Sequence, residues 1–185
     1  MISLKQSCIN VIANKFDRFH FAFCVTNDEI LMSDLMFLQR FFTSELGSEL
    51  CKKGKMKDEY LDFLMNEHLN ILDENWFVDS FYLYLMKDNI DRFPNLTKVS
   101  LANTCNDEIL KKIAEFCPHV VEINASNRFV TDTGLKYLCK NEKGKVPCTN
   151  LKELTIGKSS VTDEGLAYLI QNFHLWKKFT TKEFR

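Results

Sequence analysis

The 185-residue chain carries 24 Lys and Arg against 25 Asp and Glu, giving a net charge of −1 and a pI near 6.4. That balance creates no global field to draw it to nucleic acid or an anionic membrane. A hydrophobic share of 45% with 26% charged residues excludes a disordered chain, and no run approaches the ~18 apolar residues of a membrane span. The N-terminus lacks the uninterrupted apolar core of a signal peptide, so a soluble intracellular chain is expected. Seven cysteines, at 8, 24, 51, 105, 117, 139 and 148, agree with that: the count is odd, no CxxC occurs, and most lie in apolar patterns. Cys117, His119, Cys139 and Cys148 carry ligand-type atoms, but their spacing matches no zinc module, so neither metal nor cofactor is expected.

Residues 1–92 show no repeat and read as all-helical. Leu4, Cys8, Val11 and Ile12 form one stripe at i, i+4, i+7, i+8, with Ser3 placed to cap the helix. The Phe residues at 16, 19, 21 and 23 read as core or helix-end packing, because a base-stacking platform needs interleaved basic residues and only Arg18 and His20 stand near. A second helix is expected over 28–42. KKGKMK at 52–57 reads as a solvated turn, and helices are expected through YLDFLMNEHLNIL (60–72) and WFVDSFYLYLMKDNI (76–90).

Residues 93–185 carry a repeat. Segments beginning at Phe93, Cys117 and Cys148 each hold a strand core, Leu96–Val99–Leu101, Val120–Ile123–Ala125 and Leu151–Leu154–Ile156, followed by a helix start, NDEIL, TDTGL or TDEGL. The first two cores lie 24 residues apart, inside the leucine-rich-repeat range of about 20–29. The third lies 31 further on, with the excess in NEKGKVP, a polar loop. Alternation on a strand turns Lys98, Ser100 and Ala102, then Glu122, Asn124 and Ser126, then Glu153, Thr155 and Gly157, onto one outward concave face. Thr131 and Thr162 sit where N-caps belong, with Asp132 and Asp163 in the first turn, favourable to the helix dipole. Arg128 falls where a buried hydroxyl, Asn or Cys is usual, as at Thr104 and Ser159, so it is expected to turn outward. The fold class is therefore α/β: a helical region over 1–92, then about three repeats of a short right-handed solenoid over 93–185, with parallel strands inside and helices outside. HLWKKFTTKEFR begins a fourth strand, and the open edge around Leu175 to Phe179 suggests a fragment, a divergent short member, or a partner's cap.

The pattern CPxLxxLxLxxxxxTDxGLxxL resembles the cysteine-containing leucine-rich repeats of ubiquitin-ligase substrate receptors. SLKQSCINVI (3–12) resembles the BC box by which receptors of cullin–elongin ligases bind elongin C: a small residue, Leu, three residues, Cys, three residues, then an aliphatic, here Ser3, Leu4, Cys8 and Ile12. The order of BC box, helical region with HLNILDENW, and TD-GL repeats resembles the Zyg and Zer group of those receptors. Two departures stand out. ILMSDLMFLQRFF lacks the Pro of a cullin box, and the long armadillo-like region of that group is missing.

The resemblance implies a non-catalytic substrate-receptor subunit. Leu4, Cys8, Val11 and Ile12 would bind elongin C, with elongin B beside it, by helix-in-groove docking. By position after the BC box, Leu31, Met32, Leu35 and Leu38 are the cullin-facing candidates, with weak or altered cullin selection expected. The chain would present an unidentified protein client, in the cytoplasm or nucleus. The small, polar concave face is expected to bind no client tightly by itself, which leaves the open C-terminal edge. The alternatives are a leucine-rich-repeat scaffold without ubiquitin chemistry, an F-box-like receptor, and an internal role for the first stripe. No Gly-rich phosphate loop, HExxH or GxSxG supports an enzyme.

Overall fold

A computed structural model describes residues 3–25, 29–77, 88–140, 147–172 and 178–180, excluding the side chains of Phe23, Ile30, Leu31 and 178–180. The chain divides into two units, Met1–Leu69 with Asn75–Leu83, and Asn70–Glu74 with Tyr84–Arg185.

The first unit is helical: α1 (Leu4–Asn14), α2 (Phe16–Val25), α3 (Glu29–Lys52), a 3-10 turn at Asp58–Tyr60 and the single turn α4 (Leu61–Leu64). Ile9, Ala13, Phe16, Leu35, Leu46, Leu50, Tyr60, Phe63 and Leu64 form its core. Phe16 anchors α2 there, packing edge-on against Tyr60 at 4.8 Å and Phe63 at 5.5 Å. Asp17 accepts from Lys57 Nζ at 2.5 Å and from the Tyr60 hydroxyl, tying α2 to the 3-10 turn. Lys57 and then Tyr60 hold the Asp17 carboxyl below its usual range; burial, and then Asp17, push the Tyr60 phenol up to about 12.

α3 runs ten residues beyond the expected end at Phe42, and Asp28, its expected start, lies outside the described residues. It stops where KKGKMK supplies a glycine. Gly54 has φ +62°, its N–H reaches Cys51 O at 3.0 Å, and Lys55 N–H reaches Leu50 O at 2.9 Å. This pair of bonds satisfies carbonyls in the last turn of the helix, and the left-handed conformation favours a residue without a Cβ.

The helix expected over 60–72 is corrected: it ends at Leu64, and Ile71–Asp73 forms strand β1. Asn66 halts it. Its Nδ2 donates to Phe63 O at 3.0 Å and Thr43 Oγ1 at 3.1 Å, while Oδ1 accepts the His68 amide at 2.9 Å, local bonds that compete with the helical ladder. The helix expected over 76–90 falls mostly on 78–87, outside the described residues.

The second unit is a five-stranded parallel sheet in sequence order: β1, β2 (Lys98–Ser100), β3 (Glu122–Asn124), β4 (Glu153–Thr155) and β5 (Lys178–Thr180). Helices α5 (Asp107–Phe116), α6 (Asp132–Cys139) and α7 (Asp163–Asn172) follow β2, β3 and β4. The centres of β1 to β4 are buried, so Leu72, Val99, Ile123 and Leu154 stack in one line. Backbone bonding repeats with the sequence. Asn70 O accepts from Thr97 and Lys98, Thr97 O from Val121 and Glu122, and Val121 O from Lys152 and Glu153.

A polar ladder locks the helix starts. Asp107 Oδ1 accepts the Thr131 amide at 2.8 Å and its Oδ2 accepts the Thr131 hydroxyl at 2.6 Å. Asp132 receives the Thr162 amide at 2.8 Å and its hydroxyl at 2.7 Å. Each Thr also caps its own helix, accepting from Thr133 N or Glu164 N at 3.2 Å. A Cβ at Gly134 would lie 2.4 Å from Asp107 Oδ1, and one at Gly165 2.1 Å from Asp132 Oδ1. Thus the Asp of one repeat grips the Thr of the next, and the Gly of TD-x-GL makes room for that grip.

Arg128 is exposed, 4.8 Å from the Phe129 ring, and Asn127 takes the inner position with Oδ1 bonded to Phe129 N at 3.1 Å.

Candidate functional site

α1 begins at Ser3, whose Oγ accepts the Gln6 amide at 3.2 Å. At about 100° per residue, its side chains divide into arcs. Ile9 and Ala13, each 1% exposed, face the core. Lys5 pairs with Glu45 of α3 at 2.5 Å and Gln6 approaches Glu49 at 3.4 Å, fixing the helix's rotation. The remaining arc carries Leu4 at 82% exposure, Cys8, and Val11 at 56%. Ile12 is half-buried and packs against the core. Three of the four stripe residues therefore line one open strip, and Ile12 lies at its inner edge. Scattered exposed apolar residues are ordinary, but consecutive ones along one helix arc form a surface without an internal partner.

The α3 candidates divide differently. Leu35 is 1% exposed and belongs to the core, Met32 and Leu38 are half-buried, and the Leu31 side chain lies outside the described residues. The open face of α3 is one residue out of phase with that set: Met36, Phe37 and Phe41 are each more than half exposed. Phe37 and Phe41 pack with tilted rings 4.6 Å apart between centres, Phe37 lies 6.1 Å from Phe42, and the Arg40 guanidinium sits 5.6 Å from the Phe41 ring. The i, i+4 spacing of Phe37 and Phe41 was the available sequence signal for this patch.

Sheet register brings all nine concave-face residues together. Lys98, Glu122 and Glu153 lie side by side, as do Ser100, Asn124 and Thr155, with Ala102, Ser126 and Gly157 just beyond. Lys98 bonds Glu122 at 2.6 Å, which raises the Lys98 pKa, and Ser126 Oγ bonds Asn124 Oδ1 at 2.9 Å. A shallow, open depression of about 710 Å³ lies over Ala102, Asn124, Ser126, Thr155, Gly157 and Lys158. Of its lining side chains, Ser126 is bonded to Asn124, and Asn103 is held by Glu74. The edge expected over Leu175 to Phe179 has only its strand backbone from Lys178 described, hydrogen-bonded to β4.

Burial pushes the thiols of Cys117, Cys139 and Cys148 up to about 12, so they stay protonated at neutral pH. Among the described residues, no group of three or more His, Cys, Asp and Glu side chains is placed to hold a metal ion, and no helix is long and apolar enough to cross a membrane.

No protein-family model matches this chain, and no curated protein sequence matches it. Among solved structures it is similar to a chain in the crystal structure of the Rad7 and Elc1 complex in yeast, at 18% identity and a TM-score of 0.39. The match covers 99% of this chain and 39% of that one, so this chain spans well under half of its neighbour's length. A likeness so distant leaves function to be argued from the residues themselves.

Proposed function

We propose that the chain is a non-catalytic, substrate-receptor-like subunit of a cullin–elongin ubiquitin ligase, and that α1 docks in the groove of elongin C. The observation that carries this reading is the strip of Leu4, Cys8 and Val11, which the core leaves open while taking Ile9 and Ala13 from the same helix. These open residues are ones that the BC-box resemblance assigns to elongin C. A fully buried Leu is worth roughly 1.5–3 kcal/mol relative to an exposed one, so an 82% exposed Leu4 has most of that still to gain from a partner.

On this reading the second unit is a short right-handed leucine-rich-repeat solenoid whose place is to present a protein client. Elongin B follows elongin C, and Met32 and Leu38 are the partly accessible cullin-facing side chains. The protein acts in the cytoplasm or nucleus by position alone, with no residue in a catalytic role.

The test is capture of the purified chain on immobilised elongin C–elongin B. Leu4→Asp should weaken capture at least about tenfold, a loss of ~1.4 kcal/mol, with an unchanged melting temperature because Leu4 is already in water. Ile9→Asp should instead unfold the first unit. Failure of the wild-type chain to bind elongin C, or its retention by the Skp adaptor instead, would sink the proposal. So would a Leu4→Asp variant that melts early.

A further inference from the structure

Equivalent positions of the three helices meet different fates. Asp107 of α5 and Asp132 of α6 each hold a threonine of the next helix through its amide and hydroxyl. Asp163 occupies the same place in α7, yet it is exposed and has no hydrogen-bond or ionic partner among the described residues. Seven residues further along each helix stand Ala114, Cys139 and Ile170. The first two are 5% and 0% exposed, whereas Ile170 is 68% exposed. Four residues beyond each Asp, Lys111 and Lys136 sit over Tyr137 and Tyr168 of the following helix, at 5.5 and 5.9 Å, and the third position is Ala167, also exposed. The face of α7 defined by Asp163, Ala167 and Ile170 is therefore the face that α5 and α6 use for helix stacking.

We propose that this face of α7 is a docking surface for the helix of one further repeat continuing the sheet after β5, and that Asp163 is its polar anchor. The two occupied rungs specify the occupant's chemistry. It needs Thr or Ser at its N-cap, to give an amide and a hydroxyl to Asp163. It needs Gly three residues later, because Gly134 and Gly165 abut the Asp carboxylates they accompany. It needs an apolar side chain facing Ile170. A lysine stacked on a tyrosine is not required, since Ala167 has no charge to offer.

The experiment compares the full chain with one in which residues after Thr180 are replaced by a copy of 156–172, which carries the Thr-Asp-x-Gly start. The extended chain should melt several degrees higher, about 2–4 °C for each kcal/mol gained. Asp163→Ala should lower the melting temperature of the parent chain only by the small helix-dipole contribution of an exposed first-turn carboxylate, and should remove at least half of the gain in the extended one. Changing the copied Thr to Val should remove the same share, and the two changes together should cost no more than either alone. An extension that gives no gain, or a gain indifferent to Asp163→Ala, overturns the proposal. It also fails if the parent chain dimerises and Ile170→Asp makes it monomeric, because the occupant is then a second copy. Elongin capture does not enter this test, so its outcome is independent of the function proposed above.

Discussion

Seven cysteines share one chemistry and three environments. Cys8 and Cys24 are exposed, Cys51 is half-buried with Sγ 3.4 Å from Asn75 O, and Cys105, Cys117, Cys139 and Cys148 are buried. Because the thiolate is the reactive species, a neutral alkylating reagent should label two thiols quickly, one slowly and four only after unfolding. Mass spectrometry of timed samples reads this directly. Rapid modification of Cys117 or Cys148 in the folded chain would contradict the packing described. Tyr60 gives the clearest pH signature. Its phenol is raised from 10.0 to about 12, so the stability it contributes is present below pH 10 and is lost as pH climbs towards 12. In Tyr60→Phe that alkaline loss should shrink, measured as melting temperature against pH. Asp17, with its pKa lowered, acts at the other end, where its contribution fades only as pH falls below the ordinary carboxylate range.

At the scale of elements, the TD-x-GL motif was legible as a helix start but not as a lock between repeats. Reading Asp132 through the helix dipole considers its own turn, whereas its partner Thr162 stands 30 residues away. Sequence-local reasoning had no access to that distance, although the recurrence of Thr, Asp and Gly together was its trace. The lock makes a quantitative expectation. Asp132→Ala removes two charge-assisted bonds at a partly exposed site and should cost about 1–2 kcal/mol. Gly165→Ala should cost a similar amount, because a new Cβ 2.1 Å from Asp132 Oδ1 must push the carboxylate off Thr162. In a denaturation-based double-mutant cycle the pair should be strongly non-additive. Independent, additive costs would mean that the glycine serves something other than the lock. Strand β1 was missed for a different reason. Leu69 and Leu72 match the spacing of Leu96 and Val99, but the third core position holds Glu74. That carboxylate accepts from Asn103 N, Asn103 Nδ2 and Thr104 Oγ1, so a charged residue serves where an apolar one was sought. In α3, apolar residues surround so much of the helix that phase was ambiguous, and the reading placed Leu35 outside when Met36, Phe37 and Phe41 are the open ones.

For the molecule as a whole, the candidate surfaces differ sharply in character. The α1 strip and the Phe37–Phe41 patch are apolar and open, whereas the sheet face is polar, with Lys98 paired to Glu122 and Ser126 to Asn124. Interface energy concentrates in buried aromatic and Arg anchors, and a standard interface takes about 800 Å² from each partner. None of the nine concave residues is Trp, Tyr or Arg. Replacing Asn124 and Thr155 together by Ala should therefore change capture of any protein client by less than about twofold, well under 1 kcal/mol. A loss of tenfold or more would show that the sheet face is the main client site.

The Asp–Thr–Gly lock also has a handedness of use. In the second and third repeats one side offers a carboxylate and the other an amide and a hydroxyl, so the two sides are complementary but neither matches itself. A twofold axis passing beside Asp163 would set it against Asp163 of a second molecule, carboxylate to carboxylate. Symmetric dimers need a self-complementary patch. On the proposal above, this edge is matched to the opposite side of a next unit rather than to a second copy of itself.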